Sequence, residues 1–500
     1  MSEAITQQQC QNMLANLELP TRAFINGKYV DALSGKTFTT LNPATGKPLA
    51  QIASCAAEDI DSAVQAGRSA FEAGVWSKMA PADRKKVMCR WADLIEDNLM
   101  ELAIIESIES GKPVGECYAV DLPETVNAIR FHAEAADKLF DQVTPTGRDT
   151  LSLVTREPAG VVGVVLPWNF PALMAGWKLG PALITGNSVI AKPAKLTSMS
   201  TLFMAELAHQ AGLPAGVLNV VPGSGASAGG AIGLHPDIDV VAFTGSTEVG
   251  RMFLEYSARS NLKEVLLECG GKNPQIVMPD IADLDAVAEQ IVASAFWNMG
   301  ENCSAGSRLL VHSSIKERLL EKMLQRLDQW KTGNPLDPEN QLGALIDEGH
   351  MNKVLSYIDK AKQEGCRLVA GGGRLFPESG GYFVAPTIFD NVTNDQTIAQ
   401  EEIFGPVLAV ITFDTEDEAV QIANDTCYGL AASLYSNDLN VAHRVSAAIR
   451  AGTVSVNCFS EGDMTTPFGG YKLSGFGGRD KSVFAHDQYC QLKTTWIQLK

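Results

Sequence analysis

The feature that most limits the fold of this 500-residue chain is an alternation of apolar runs and helical segments between residues 160 and 245. Four runs carry almost no charged side chain, which is typical of strands buried on both faces of a parallel sheet. These runs are Val161–Val165, Asn187–Ala191, Val217–Val221 and Val240–Phe243. Helices are predicted between them over Leu173–Leu183 and Ser198–Gln210. The pattern predicts an open α/β domain that binds ligands at the carboxyl ends of its strands.

The remaining sequence extends this domain on both sides. Apolar residues recur at helical spacing between about 59 and 110, which predicts helices before the sheet. From about residue 272 a second α/β segment is predicted, with a helix over Lys316–Gln329 and a strand over Val407–Ile411. A chain of this length is too long for one compact core, so two or three domains are expected.

Two further strands are predicted away from these sheets, over Leu151–Arg156 and Gln491–Leu499. Neither has an obvious neighbour within the chain. We therefore expect them to pair across subunits.

Charge and cysteine content exclude several classes of partner. The net charge of −18 argues against nucleic acid and against anionic membranes, because both require a basic surface. The ten cysteines form no CxxC pair and no Cys/His group with zinc spacing, so no metal is expected. The chain shows neither a signal peptide nor an apolar run of the roughly 20 residues that span a bilayer. A cytoplasmic protein with reduced thiols is the expectation.

Two short segments carry residues suited to covalent catalysis. Cys303 is followed by small residues, and Glu268 lies beside Gly270 and Gly271. A thiol nucleophile and a carboxylate base on flexible loops would serve this chemistry. The alternatives are a buried structural thiol and a surface carboxylate. A third segment, residues 243–250, follows a buried strand and would open a helix that could receive a pyrophosphate, or could equally be a capped helix without a ligand.

Seven motifs run in order along the chain and together resemble those of the aldehyde dehydrogenase family. They are PWNFP at 167–171, KPA at 192–194, FTGSTEVG at 243–250, LECGGK at 267–272, FxNxGExC at 296–303, EEIFGPV at 401–407 and PFGGYKLSG at 467–475. The resemblance implies an α/β fold with an open parallel-sheet NAD(P)-binding domain, an α/β catalytic domain and a small β oligomerisation element. Their implied ranges are 1–138 with 159–270, 271–480, and 139–158 with 481–500, in a homodimer or homotetramer.

The resemblance also implies a role for each catalytic residue. Cys303 would attack the aldehyde carbon, and the Asn169 amide with the Cys303 backbone N–H would stabilise the alkoxide. Glu268 would activate the water that hydrolyses the resulting thioester. The implied cofactor is NAD, and its implied contacts are Trp168, Lys192, Lys195, Gly245, Ser246, Glu402 and Phe404.

Lys195 departs from the pattern of strict NAD users, which carry glutamate at this position. A lysine can attract a 2′-phosphate that a carboxylate would repel, so NADP is expected to be accepted as well. The alternative is that Lys195 simply points into solvent. The two interpretations remain open.

Within the family, the chain looks most like bacterial dehydrogenases of polyamine and arginine breakdown, which oxidise aminobutyraldehyde, γ-glutamylamino-butyraldehyde or guanidinobutyraldehyde. Aromatic walls and carboxylates suit a cationic aldehyde. The implied substrate contacts are Asp121, Glu124, Phe170, Met174, Trp177, Phe296, Phe459, Glu461, Asp463 and Phe468. The alternative for the acidic contacts is that they are ordinary exposed charges. The alternatives for the function are a broad-specificity aliphatic aldehyde dehydrogenase, a CoA-acylating enzyme, and a nitrilase-like hydrolase that uses Cys303, Glu268 and Lys192.

Overall fold

The computed structural model describes residues 6–499, which form an α/β structure built around two large sheets. The first sheet has eight strands, and its five central strands form four parallel pairs in register, as the uniformly apolar runs predict. Its strands, in spatial order, are Lys28–Val30, Ala23–Ile25, Leu218–Val220, Ser188–Lys192, Val161–Val165, Val240–Thr244, Glu264–Glu268 and Gly475–Phe476. The last strand comes from far along the chain, in the segment assigned to the catalytic domain.

Both faces of this sheet are covered by helices. Val162 and Val164 belong to one apolar core and Val161 and Val165 to another, because successive side chains of a strand point to opposite faces. This is why the strand sequences contain no polar alternation. The helices of this half of the chain are Gln7–Leu14, Ala57–Ala73, Pro81–Asp97, Leu99–Ser110, Val114–Glu116, Leu122–Ala135, Pro171–Ile184, Met199–Gln210, Gly230–Leu234 and Thr247–Arg259, with π-helical turns at Cys117–Asp121 and Gly225–Gly229.

The second sheet has seven strands and its own apolar core. In spatial order the strands are Arg367–Ala370, Thr387–Asp390, Val407–Phe413, Arg308–His312, Pro274–Val277, Ala431–Tyr435 and Thr453–Val456. All neighbours run parallel except the first pair, which is antiparallel. The helices around it are Leu284–Phe296, Lys316–Leu327, Glu348–Gln363, Thr397–Gln400, Glu416–Asn424 and Leu439–Ala448, with 3₁₀ turns at Trp297–Gly300, Pro377–Ser379 and Lys472–Ser474.

A separate three-stranded sheet corrects one expectation from the sequence. The strand Cys490–Gln498 pairs antiparallel with Thr150–Pro158 of the same chain, along nine residues, and Gln142–Thr144 lies on the other side. The two strands that were expected to pair across subunits are therefore each other's partners. The two segments also belong to the single β element, 139–158 with 481–500, that the family resemblance implies. Cys490–Gln498 is an edge strand of this sheet within residues 6–499.

Smaller elements complete the fold. Two hairpin-like pairs join Thr37–Asn42 to Lys47–Ala53 and Arg374–Leu375 to Phe383–Val384, and a short helix spans Phe484–Asp487. Among residues 6–499, no helix has the length and apolar character needed to cross a membrane.

Candidate active site

A cavity of about 690 Å³ opens where strands of the first sheet end. Four neighbouring strands finish there at Lys192, Val165, Thr244 and Glu268, and all four residues line the cavity. It has the size of a small-molecule site and brings together most of the residues predicted from the sequence. Those lining it are Cys303, Glu268, Asn169, Trp168, Lys192, Lys195, Gly245, Ser246, Glu402, Phe404, Phe170, Met174, Trp177, Glu461 and Phe468.

The loop that carries Cys303 is shaped by an unusual backbone reversal. After the helix Leu284–Phe296 ends, Asn298, Met299 and Gly300 all adopt left-handed conformations, with φ of 52°, 56° and 69°. A side chain at Gly300 would lie 2.3 Å from the Gly405 carbonyl oxygen, so glycine is needed there for space as well as for conformation. This reversal turns the chain toward the cavity and exposes the thiol to it.

Cys303 is half-buried, and its surroundings disfavour the thiolate. Burial is the main cause that raises the pKa of this thiol well above its usual range, and nearby carboxylates raise it further. These carboxylates belong to Glu461, Glu402 and Glu268. The thiol therefore needs a proton acceptor before it can act as a nucleophile.

The candidate for this acceptor is Glu268. It ends its strand, and its Oε2 atom is buried without a hydrogen-bond partner among the described residues. Burial raises the pKa of Glu268 well above its usual range, Asp480 raises it further, and Lys178 opposes this. A buried carboxyl group with a raised pKa is characteristic of acid–base catalysis.

Lys178 and Asp480 are functional candidates that sequence reasoning missed. The Lys178 ammonium lies 2.9 Å from the Asp480 carboxylate, and both side chains are buried beside Glu268. The two residues are 302 positions apart, so no local pattern could have connected them.

Asn169 faces the nucleophile loop. Its side-chain Nδ2 donates to the Glu301 carbonyl oxygen at 3.0 Å, and its own backbone carbonyl accepts from the Asn298 side chain at 3.2 Å. An amide nitrogen carries two N–H groups, so one remains for a ligand. The side chain is thereby fixed to the loop that presents Cys303.

The other end of the cavity offers groups that fit a dinucleotide. Ser246 caps the helix Thr247–Arg259, its hydroxyl accepting from the Val249 N–H at 3.4 Å, and it also lines the cavity. A helix start of this kind favours phosphate. Burial lowers the pKa of Lys192 to about 8, and its ammonium donates to the Pro193 carbonyl at 2.6 Å. Lys195 is exposed at the rim, 5.2 Å from the centre of the Phe38 ring.

Glu402 and Phe404 form a second polar and aromatic corner. Glu402 accepts from the Gly271 N–H at 2.9 Å, and burial raises its pKa to about 7. A side chain at Gly270 would come within 2.1 Å of this carboxylate. Phe404 meets Trp168 edge-on, with ring centres 5.2 Å apart.

His350 is another residue that the sequence did not reveal. Its Nε2 lies 2.6 Å from the Phe404 carbonyl oxygen, and the side chain lines the cavity. No surrounding motif distinguishes it from the other six histidines.

Two predicted substrate contacts are placed elsewhere by the structure. Phe296 is fully buried in the core of the seven-stranded sheet, and the next residue, Trp297, lines the cavity instead. The helix Leu284–Phe296 ends at this point, so the two adjacent residues point in different directions. Phe296 points into the core, and Trp297 points to the cavity wall. Asp121 is also fully buried, where it forms an ion pair with Lys112 and does not reach the cavity.

Three other predicted contacts lie outside the cavity lining. Glu124 is exposed on the helix Leu122–Ala135, and the Asp463 carboxylate accepts from the Thr465 N–H and hydroxyl. Phe459 is half-buried on a neighbouring loop. Of the predicted carboxylates for a distal cation, Glu461 is the one that the cavity lining includes.

The thiol, the buried carboxylate and the phosphate-favouring helix start thus share one cavity. The model of the aldehyde dehydrogenase family matches residues 29–495. The chain belongs to the aldehyde dehydrogenase family. It is therefore an NAD(P)-dependent oxidoreductase that acts on aldehydes, and the hydrolase alternative is wrong.

Individual members of this family match over nearly the full length. The aminoacetaldehyde dehydrogenase of Pseudomonas aeruginosa is 56% identical over 497 residues, which cover 99% of each chain. The NADP/NAD-dependent aldehyde dehydrogenase PuuC of Escherichia coli is 45% identical over 490 residues, 98% of each. The solved structure of the P. syringae indole-3-acetaldehyde dehydrogenase AldA with NAD⁺ superimposes with a TM-score of 0.98 at 52% identity, covering 99% of this chain and 100% of that one.

Proposed function

We propose that this aldehyde dehydrogenase oxidises an aldehyde that carries a cationic amino or guanidino group at its far end. Free aminoaldehydes and guanidinoaldehydes belong to this class, and a γ-glutamyl-linked aminoaldehyde presents its ammonium beside a carboxylate on the glutamyl end. The observation that supports the proposal is the placement of Glu461, which lines the cavity together with Cys303. Its carboxylate accepts from the hydroxyl of Ser304, the residue that follows the nucleophile. The name of the P. aeruginosa relative points in the same direction.

The walls around Glu461 suit a cation with an alkyl stem. Trp177 and Phe468 meet edge-on with ring centres 5.2 Å apart, and Phe170 and Met174 complete an apolar surface. Aromatic faces attract ammonium and guanidinium groups, and the alkyl part gains from apolar contact.

The negative charge at the Glu461 end of the cavity is partly balanced by a neighbouring lysine. Lys481 is buried, donates to the carbonyls of Glu461 and Gly462, and lies 5.2 Å from the centre of the Trp177 ring. It bonds backbone oxygens, so the Glu461 carboxylate itself stays available to a substrate cation.

The catalytic cycle follows from the residues around the thiol. Glu268 accepts the Cys303 proton, and the thiolate adds to the aldehyde carbon. The resulting alkoxide is stabilised by the Asn169 amide and the Cys303 backbone N–H. The dinucleotide, when bound, supplies the hydride acceptor. The acyl group is left on sulfur as a thioester. Glu268 releases the thiol proton to solvent, and its carboxylate then takes a proton from the water that adds to the thioester carbon. The thiolate then leaves and the carboxylic acid is released.

The dinucleotide is proposed to bind the 1–138 and 159–270 part of the chain, with residues 271–480 carrying the nucleophile. Lys192 and Lys195 would hold its adenosine side, Gly245 and Ser246 its phosphates, and Glu402, Phe404 and Trp168 its nicotinamide side. The turn at Gly245 has no room for a side chain, because a Cβ there would lie 2.6 Å from the Phe243 ring. The proposed fit of the phosphates rests on this bare stretch of backbone. Both NAD and NADP are proposed to be used, with Lys195 accommodating the extra phosphate.

We also infer a homodimer or homotetramer formed through residues 139–158 and 481–500. The strand Cys490–Gln498 is a nine-residue edge, and two large apolar side chains stand on one of its faces. These are Leu492 and Trp496, which are 70% and 63% exposed. A long edge and an apolar face of this kind favour contact with a second copy.

The ten cysteines are free, which supports a cytoplasmic location.

The substrate proposal is tested by Glu461→Gln. Loss of a charge-assisted contact of about 1–2 kcal/mol should lower kcat/KM for 4-aminobutyraldehyde relative to butyraldehyde by roughly five- to thirtyfold. Asp463→Asn is the matched control, because this carboxylate lies two residues away and faces Thr465. An unchanged ratio in Glu461→Gln would refute the anchoring role. A wild-type preference for indole-3-acetaldehyde or butyraldehyde over the amino compound would refute the substrate class.

A further inference from the structure

A group of ionisable side chains is buried behind the segment 168–172 and has no part in the cycle described above. Glu106 lies on the helix Leu99–Ser110, Lys112 follows that helix, and Asp121 lies in the π-helical turn Cys117–Asp121. None of the three is more than 1% exposed. Buried charges are costly unless they are paired and bonded, so the groups that they hold are informative.

Lys112 makes three contacts, and two of them are with the segment that carries Asn169. Its ammonium forms an ion pair with Asp121, lies 3.4 Å from the Asn169 backbone carbonyl oxygen, and stands 3.8 Å from the centre of the Phe170 ring. Burial by itself disfavours the charged lysine, but Asp121, Cys117 and Glu106 together outweigh this and raise the pKa of Lys112 above its usual value. The ammonium therefore stays charged against the carbonyl and the ring.

Glu106 holds the other end of the same turn. Its Oε1 accepts from the Ala172 N–H at 2.7 Å, at the start of the helix Pro171–Ile184. The first N–H groups of a helix lack partners within it, so this bond fixes where the helix begins. Lys112 and Glu106 thus fix the segment at positions 169 and 172.

The opposite side of Asn169 is bound to the nucleophile loop through Asn298 and Glu301. Its position relative to Cys303 is therefore set between two supports, the loop and the buried cluster. Misplacement of a catalytic group by about 1 Å can cost around a hundredfold in rate.

We propose that Lys112 is a positioning residue for the reaction, which holds the Asn169 amide in place to receive the alkoxide, with Asp121 and Glu106 as its supports. The inference rests on the function proposed for Asn169. The side-chain ligand atoms of Glu106, Cys117 and Asp121 lie close enough together to suggest a metal ion. The Lys112 ammonium already bonds Asp121 in this cluster, so we assign the positive charge there to lysine.

The test uses a double variant that removes both charges of the Lys112–Asp121 ion pair, so that neither is left buried alone. Lys112→Met with Asp121→Asn should lower kcat by about tenfold to a hundredfold, because the alkoxide loses a well-placed donor. KM for the dinucleotide and its binding measured by fluorescence should stay unchanged. The kinetic isotope effect with an aldehyde deuterated at the carbonyl carbon should rise, since formation and collapse of the alkoxide become slower than product release.

Three further variants separate the possible outcomes. Lys263→Met removes an equally buried lysine that bonds Gly233 and Ser260 away from the cavity, and should behave as wild type. Lys112→Gln with Asp121→Asn keeps an N–H donor for the Asn169 carbonyl, leaves no lone charge, and should recover part of the lost kcat. Asn169→Ala should be at least as impaired as the double variant.

The inference is overturned if kcat of the double variant stays within about threefold of wild type while Asn169→Ala is impaired. It is equally overturned if kcat, dinucleotide binding and melting temperature fall together, since that pattern marks a merely structural role. A silent Asn169→Ala would instead refute the proposed role of Asn169 itself.

Discussion

Lys195 provides a charge-reversal test of cofactor choice. It is exposed at the rim of the cavity, on the side proposed for the adenosine ribose. Two unit charges about 4 Å apart in water interact by about 1 kcal/mol, and a phosphate monoester carries a charge of about −2 at neutral pH. Lys195→Glu changes the local charge by two, so the change in interaction with a 2′-phosphate has an upper bound near 4 kcal/mol.

Screening reduces this bound at an exposed site. The Debye length is about 8 Å at physiological ionic strength, and a flexible lysine does not hold one geometry. We therefore expect a loss of about 1.5–3 kcal/mol, which is roughly a ten- to hundredfold fall in the NADP-to-NAD ratio of kcat/KM. Lys195→Met keeps much of the aliphatic stem and removes the charge, so it should produce about half of this shift on a logarithmic scale.

The assay is the initial rate of dinucleotide reduction at saturating aldehyde, at low and at high salt. The shift should shrink as salt increases, because it arises from exposed charges. Ratios within about threefold of wild type for both variants would refute the reasoning and show that Lys195 points into solvent. Negligible wild-type rates with NADP would refute it independently.

Two further predictions concern the nucleophile and the assembly. Burial and nearby carboxylates raise the pKa of Cys303. Its alkylation by iodoacetamide without cofactor should therefore keep accelerating as the pH rises to 9 and beyond. An alkylation rate that levels off below pH 8 would contradict this prediction. Trp496→Asp with Leu492→Asp should convert the assembly to single chains in light scattering, because charges would replace the apolar face of the edge strand. An unchanged mass would place the subunit interface elsewhere.

The sequence predicts the main sheet well because its physical signal is local. The runs at Val161–Val165 and Val240–Phe243 are apolar throughout, and the structure buries both faces of these strands. The two outlying strands were also located correctly. Strand character alone says nothing about which distant strand completes the ladder, and it was the family resemblance that grouped residues 139–158 with 481–500.

The site likewise divides into residues that a local sequence pattern predicts and residues whose placement depends on distant parts of the chain. Cys303 and Glu268 could be recognised from the small residues around them, and the structure places both at one cavity. Asp121 was expected as a substrate contact from the family resemblance, yet it is buried in an ion pair with Lys112 and does not line the cavity. Phe296 was one position from the residue that lines the cavity, since the end of its helix is set by a backbone reversal that composition does not reveal.

Charged partners far apart in sequence account for most of what was missed. Lys178 and Asp480 meet beside Glu268 because the helix Pro171–Ile184 and the region after the last strand of the first sheet converge there. Neither residue stands in a pattern that predicts the other. Such pairs are determined by tertiary structure alone, and this one adds to the effect of burial on the pKa of Glu268.

The central claim is that Cys303 carries the acyl group while the dinucleotide binds through separate residues. Turnover of aldehyde and binding of reduced dinucleotide, measured on Cys303→Ala with Cys458→Ala as a control, test it most directly. We predict no aldehyde oxidation and unchanged fluorescence titration for Cys303→Ala, with normal activity for the control. Substantial aldehyde oxidation by Cys303→Ala, or loss of dinucleotide binding together with activity, would contradict the account.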